Sequence, residues 1–312
     1  MYYPYLRGKQ YELIVLRELS GVLASAGIVP IIEPVKKNIS ALVKTAQELK
    51  EKGASFIIIV NPQHGEFKTD GAVIEKEIIG SVLRGYNNYF IAFLLSGKTR
   101  LSDVSSFFTR HSGQKVCLIH NHTVEFANDV RALLSRHSSG AINVFVEGAT
   151  TKTYRQVFQG SGVSAVLVSD GFKNRPRNGD YPETESFSDL YSIYRQEGYA
   201  GFGDFLIVGD AYSETGGPAH VVAIHLTYPN DNVIWIKHFL SDSRSDLPVD
   251  PGGKFLEALG KLNVFITQKG LNTSACQEFG QLYQEQRYPG LGYVKKLSMK
   301  HHVELMAELI RG

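Results

Sequence analysis

Cysteine is scarce in this chain. Cys117 and Cys276 are the only two, too few for a disulfide framework, and they form no Cys-x-x-Cys pair for zinc or redox work. Cys117 lies inside an apolar run and reads as a buried, inert thiol. Charge of one sign is also missing. A formal net charge of +2 over 312 residues gives no broad pull toward nucleic acid or anionic lipid, so direct nucleic-acid binding is not expected. No run approaches the ~20 apolar residues of a membrane span. The opening MYYPYLRGKQ has no apolar signal core, and the cytoplasm is the expected compartment. Familiar catalytic signatures are absent too. Ser96-Gly97-Lys98-Thr99 resembles the tail of a phosphate-binding loop, but its first glycine position holds Ala92. Gly201-Phe202-Gly203 precedes an apolar run rather than following one, so it is no dinucleotide turn. No GxSxG elbow and no HExxH pair occurs, and no nucleotide-cofactor motif is present.

What is present is a rhythm. Eight apolar runs each end in a polar residue: Tyr2–Leu6 before Arg7, Ile28–Ile32 before Glu33, Phe56–Val60 before Asn61, and Phe90–Leu95 before Ser96. Val116–Ile119 before His120, Val144–Val146 before Glu147, Ala165–Ser169 before Asp170 and Phe205–Gly209 before Asp210 complete the set. Continuous Val/Ile/Leu/Phe runs suit strands covered on both faces, as in a parallel sheet. The gaps carry helical periodicity, as in Leu42, Val43, Ala46 and Leu49, or Phe126, Ala127, Val130, Leu133 and Leu134. Eight such units predict an α/β chain forming a (β/α)8 TIM-barrel-like fold, whose strand C-termini converge on one functional face. An open doubly wound sheet would favour a glycine-rich first turn, and Arg7-Gly8-Lys9-Gln10 is not one. Two β-rich runs, 221–228 and 233–239, flank Pro229-Asn230-Asp231-Asn232 and predict a hairpin inserted after strand 8. The barrel with this hairpin (221–239) is assigned to residues 1–270, and a C-terminal helical extension to 271–312. The hairpin carries Trp235, the only tryptophan, and needs its outer edge covered by the C-terminal helices or by another protein. His225 and His238 read as strand residues, and His301-His302 as a solvated helix face.

The strand-end residues are the candidate site. Glu33, Glu147, Asp170 and Asp210 could hold a hard divalent cation such as Mg2+ or Mn2+. The same carboxylates could equally pair with Arg7, Lys36 and Lys173 in a structural network. His120 is the candidate acid or base, with Arg7 balancing developing charge. Lys173, Arg175 and Arg177 follow the seventh run, and Gly216-Gly217 follow the eighth. Barrels commonly hold a phosphate with these two loops, so these five, with Asn61, are candidate phosphate-binding residues.

Tyr3-Pro4-Tyr5-Leu6-Arg7-Gly8-Lys9-Gln10-Tyr11-Glu12, followed by Ile28-Val29-Pro30-Ile31-Ile32-Glu33-Pro34, resembles the start of the phage-type "beta family" proteins of unknown function, and more closely a bacterial branch of that group. The resemblance implies a TIM-barrel-like fold and no established activity. It also implies a small restriction-nuclease-like companion encoded alongside, in a two-component system for mobile-element or phage defence. Arg7, Lys9 and Glu33 match its motif, which adds Lys9 to the candidate catalytic residues. The residues therefore leave two readings. One is a metal-assisted hydrolase or transferase acting on a phosphate-containing small molecule or nucleotide. The other is a non-enzymatic scaffold or regulatory partner of a nuclease-like protein.

Overall fold

A computed structural model of the chain describes residues 1–68, 71–213, 220–242 and 250–311. They form two compact units: Met1–Asp170 with Leu190–Phe205, and Gly171–Asp189 with Leu206–Gly312. The expected boundary at residue 270 lies inside the second unit.

The first unit is the barrel. Its strands are β1 (Tyr5–Leu6), β2 (Ile31–Ile32), β3 (Phe56–Ile59), β4 (Tyr89–Leu95), β5 (Val116–His120), β6 (Ala141–Val146) and β7 (Ser164–Ser169). The next strand in the chain, β8 (Thr184–Ser188), belongs to the second unit, and β9 (Gly201–Asp204) is the eighth barrel strand. All eight pair in parallel and in order. A Tyr2–Phe202 bridge closes the ring, with the Tyr3 amide donating to the Phe202 carbonyl at 2.8 Å. This is the (β/α)8 TIM-barrel-like fold expected from the rhythm of runs. Alternate residues fill the interior: Tyr3 and Tyr5, Val29 and Ile31, Ile57 and Ile59, Ala92 and Leu94, Cys117 and Ile119, Val144 and Val146, Val166 and Val168, with Phe205. Burial pushes the Cys117 thiol far up, as expected of an inert core thiol.

The eighth strand is not the predicted one. Phe205–Gly209 does not form a strand, and Leu206–Val208 is a 3-10 turn. The strand is Gly201-Phe202-Gly203-Asp204, immediately before the apolar run expected to form it. The closing strand approaches β1 so closely that a Cβ on Gly203 would lie 2.0 Å from the Tyr3 carbonyl oxygen, and one on Gly201 would lie 2.4 Å from the Tyr3 ring. Glycine is required here for that approach, which erases the apolar signature.

Helices fill most of the gaps: α1 (Gln10–Glu18), α2 (Ser20–Ala26), α3 (Ser40–Glu51), α4 (Leu101–Arg110), α5 (Ala127–Arg136), α6 (Lys152–Gln156) and α7 (Leu190–Ile193), with a wider π-helix at Ile74–Val82.

The second unit is built on an antiparallel sheet. The inserted hairpin, β10 (Ala223–Asn230) and β11 (Val233–Leu240), turns at Asp231-Asn232, and β11 also pairs with β8. α8 (Pro251–Lys269), α9 (Ser274–Gln284) and α10 (Leu291–Leu309) follow. Ile224, Leu226, Tyr228 and Phe239 pack with Phe255, Leu259 and Leu262 of α8, and Trp235 is half-buried against the same core. His301 and His302 do not face solvent as expected; both are fully buried. His301 Nε2 donates to the Thr227 carbonyl of β10 at 2.8 Å, and His302 Nδ1 lies 2.9 Å from the Thr227 hydroxyl. The C-terminal helix therefore covers part of the hairpin from within the chain. Among the described residues, no helix is long and apolar enough to cross a membrane.

Candidate active site

Side chains alternate along a strand, so the interior set decides which strand-end residues reach the barrel mouth. Continuing it by two places Arg7 after Tyr5, Glu33 after Ile31, Asn61 after Ile59, Ser96 after Leu94, and Asp170 after Val168 on the inner side. The same step from Ile119 selects Asn121. It leaves His120 and Glu147 on the outer face.

Glu33 anchors the mouth. Its carboxylate is fully buried. One oxygen, Oε1, accepts the Gln63 amide at 2.8 Å and the His64 amide at 3.2 Å, and lies 3.0 Å from His64 Nδ1. The other, Oε2, accepts the Tyr5 hydroxyl at 2.9 Å and lies 3.4 Å from Arg7 Nε. Burial alone would raise the Glu33 pKa, but the His64 hydrogen bond and charge, Arg7 and the Gln63 amide together hold it below the ordinary carboxylate value. Arg7 is itself buried, its guanidinium 5.5 Å from the Tyr5 ring and 5.4 Å from the Phe205 ring. An ionised Glu33 can only accept, so His64 Nδ1 carries the proton of the neutral ring and Nε2 is the nitrogen turned away from Glu33.

The loops around the pair are locked together. Gly65 has φ +66°, and a Cβ there would fall 2.2 Å from the Val35 carbonyl oxygen, so only glycine fits beside the β2 loop. The Glu66 amide donates to that same carbonyl at 2.8 Å, and its carboxylate accepts the Lys37 amide at 2.7 Å. Asn61 completes the sheet rather than facing a ligand: its side chain donates to the Leu94 carbonyl at 2.9 Å and accepts the Leu94 amide at 2.7 Å. At the β1 end, Gly8 turns with φ +57°. Lys9 is the N-cap residue of α1, and its amide donates to the buried Glu12 carboxylate at 3.3 Å.

His120 is not part of the mouth. It lies fully buried on the outer face of β5, with Nδ1 2.8 Å from the Tyr154 hydroxyl and Nε2 3.0 Å from Asn143 Oδ1. Phe145 stacks on its ring with centroids 4.5 Å apart. Burial outweighs the Asn143 hydrogen bond and lowers its pKa to about 4, which makes it a neutral packing residue. Glu147 is exposed on the outer side. Asp170 ends the barrel unit's first segment, and Asp210 belongs to the second unit. Among the described residues, no three His, Cys, Asp or Glu side chains converge to hold a metal. In the second unit, Arg175 Nη2 meets Glu185 Oε2 at 2.8 Å and Lys173 Nζ lies 3.6 Å from the same atom, while Arg177 is exposed. Gly216 and Gly217 lie outside the described residues.

His64 escaped the sequence reading. It stands three residues past the strand end, in Asn61-Pro62-Gln63-His64-Gly65, where no periodicity marks it. The one available signal was a histidine followed by glycine in a βα loop at the C-terminal end of the barrel strands. No protein-family model, curated protein or solved structure matches this chain.

Proposed function

We propose that the C-terminal face of the barrel is an acid–base site acting on a phosphate-containing small molecule or nucleotide, by hydrolysis or group transfer. His64 is the proton-transfer group. Glu33 is its positioning residue, and Arg7, with Lys9 at the start of α1, supplies the positive charge that meets the anionic substrate. The observation that carries this reading is the 3.0 Å contact between His64 Nδ1 and a carboxylate with no solvent exposure. A buried acceptor of this kind sets the tautomer and orientation of an imidazole whose other nitrogen does the chemistry. A Mg2+ or Mn2+ ion would be carried in with the phosphates, as such ions usually are.

The test is turnover of phosphomonoesters, phosphodiesters and nucleotides, with and without Mg2+ or Mn2+. His64→Gln should lower kcat by roughly 10²–10⁴, the usual contribution of a general acid or base, while the thermal midpoint stays put. Turnover equal in the two proteins would reject His64. No turnover of any of these substrates by the wild type would favour the scaffold reading, in which the chain serves a nuclease-like companion and the Glu33 network only braces the mouth.

A further inference from the structure

A second buried polar cluster lies wholly in the second unit and plays no part in the site above. His225 and His238 face each other across the β10–β11 pair, with their Nδ1 atoms 2.7 Å apart. One of the two nitrogens must donate and the other accept, so the contact holds one proton between the rings. His238 Nε2 lies 3.3 Å from Glu185 Oε1 on β8, and Glu185 also takes Arg175. The Tyr181 ring stacks on His238 at 4.6 Å and meets His225 edge-on at 4.7 Å, and Phe172 meets His225 edge-on at 5.1 Å. Phe172, Lys173, Arg175, Tyr181 and Glu185 all lie between Gly171 and Asp189, the segment that joins the seventh barrel strand to α7. The β8–β11 ladder holds the end of this segment to the hairpin, and the imidazole pair is where the part before it, with Phe172 and Tyr181, packs on the hairpin.

We propose that the His225–His238 pair is a pH-sensitive clasp that holds the stretch from Gly171 to Tyr181, ahead of β8, on the hairpin near neutral pH and releases it in acid. The geometry sets the direction. Protons on both Nδ1 atoms would put two N–H donors face to face at 2.7 Å. A charge on either ring is opposed by desolvation, since His238 is 3% exposed. The charged groups around the pair are mostly positive. Arg175 and Lys173 come from the segment and Lys295 from α10, against Glu185 on β8 and the neutral Tyr181 phenol. Burial first, then the neighbouring imidazole and Lys295, keep His225 well below the ordinary value of 6.5; burial also lowers His238, with Glu185 opposing and Arg175 adding to the shift. A released pair takes up protons at ordinary values and a clasped pair does not. The clasp is therefore intact above about pH 6.5 and weakens as pH falls through that value.

The test is amide hydrogen exchange in peptides spanning 171–181, corrected for intrinsic rate, in the full chain from pH 7.5 to 5. Protection should drop at least tenfold across that range in the wild type and should be nearly level in His225→Gln/His238→Gln, which keeps polar groups but cannot titrate. Level protection in the wild type, or an unchanged drop in the double variant, overturns the clasp. Imidazole titration by NMR in the unmodified protein guards against a variant that does not fold. Both rings should resist protonation at pH 6.5, and two rings titrating at that ordinary value overturn the proposal.

Discussion

At the scale of single residues, burial decides what each ionisable group can do. Glu33 is buried and saturated with donors, so it is an ionised anchor for Arg7 and His64 rather than a base. Glu33→Ala removes the buried carboxylate 3.4 Å from the buried Arg7 Nε, and should destabilise the barrel by about 3–5 kcal/mol, read from urea unfolding. Its depressed pKa means that its stabilisation is present above the ordinary value of 4.5 and is lost as pH falls below it. His120 has the opposite logic. Its ring is neutral and packed, with a folded pKa of about 4 against an ordinary 6.5. The unfolded chain therefore takes up this proton first as pH falls through 6.5, and His301, also lowered to about 4 by burial, behaves alike. Each contributes a loss of roughly 3 kcal/mol by pH 4. Unfolding free energy should consequently decline from pH 6.5 to pH 4, and His120→Phe should flatten part of that decline.

At the scale of elements, the barrel shows which patterns a sequence spells out. Ile28–Ile32, Phe56–Val60 and Phe90–Leu95 are legible because both faces of a central barrel strand are covered, so every position is apolar. The same fact hides the parity. A run that is apolar throughout does not say which alternate residues face inward, and this is why His120 and Glu147 were grouped with Arg7 and Glu33. The β9 strand was illegible for a different reason: Gly201 and Gly203 trade side chains for close contact with β1. Gly203→Ala should break the Tyr2–Phe202 closure, since its Cβ would overlap the Tyr3 carbonyl oxygen at 2.0 Å. The expected cost is about 3 kcal/mol or more, at the upper end for an overpacked site. Gly27→Ala serves as the control. Gly27 is left-handed like many helix caps, with φ +65° and nothing within 4 Å of a new Cβ, so it should cost only about 1 kcal/mol. Thermal midpoints of the two variants separate close contact from backbone strain.

At the scale of the whole molecule, the chain has two compact units, and the hairpin that interrupts the barrel rhythm belongs with β8 and the C-terminal helices. The candidate site was half legible. Arg7 and Glu33 follow from the C-terminal ends of barrel strands, whereas His64 sits in a loop and is brought to Glu33 only by tertiary contacts through Gln63, Gly65 and Glu66. That pairing carries the proposed site, and it can be examined without knowing the substrate. Nitrogen-15 correlation spectra of the His64 ring, at a pH where the ring is neutral, report which nitrogen carries the proton. Free histidine favours the proton on Nε2. An ionised Glu33 at 3.0 Å requires it on Nδ1, and Glu33→Ala should return the ring to the ordinary tautomer. A wild-type His64 protonated on Nε2, as in free histidine, would contradict the dyad and with it the proposed acid–base site.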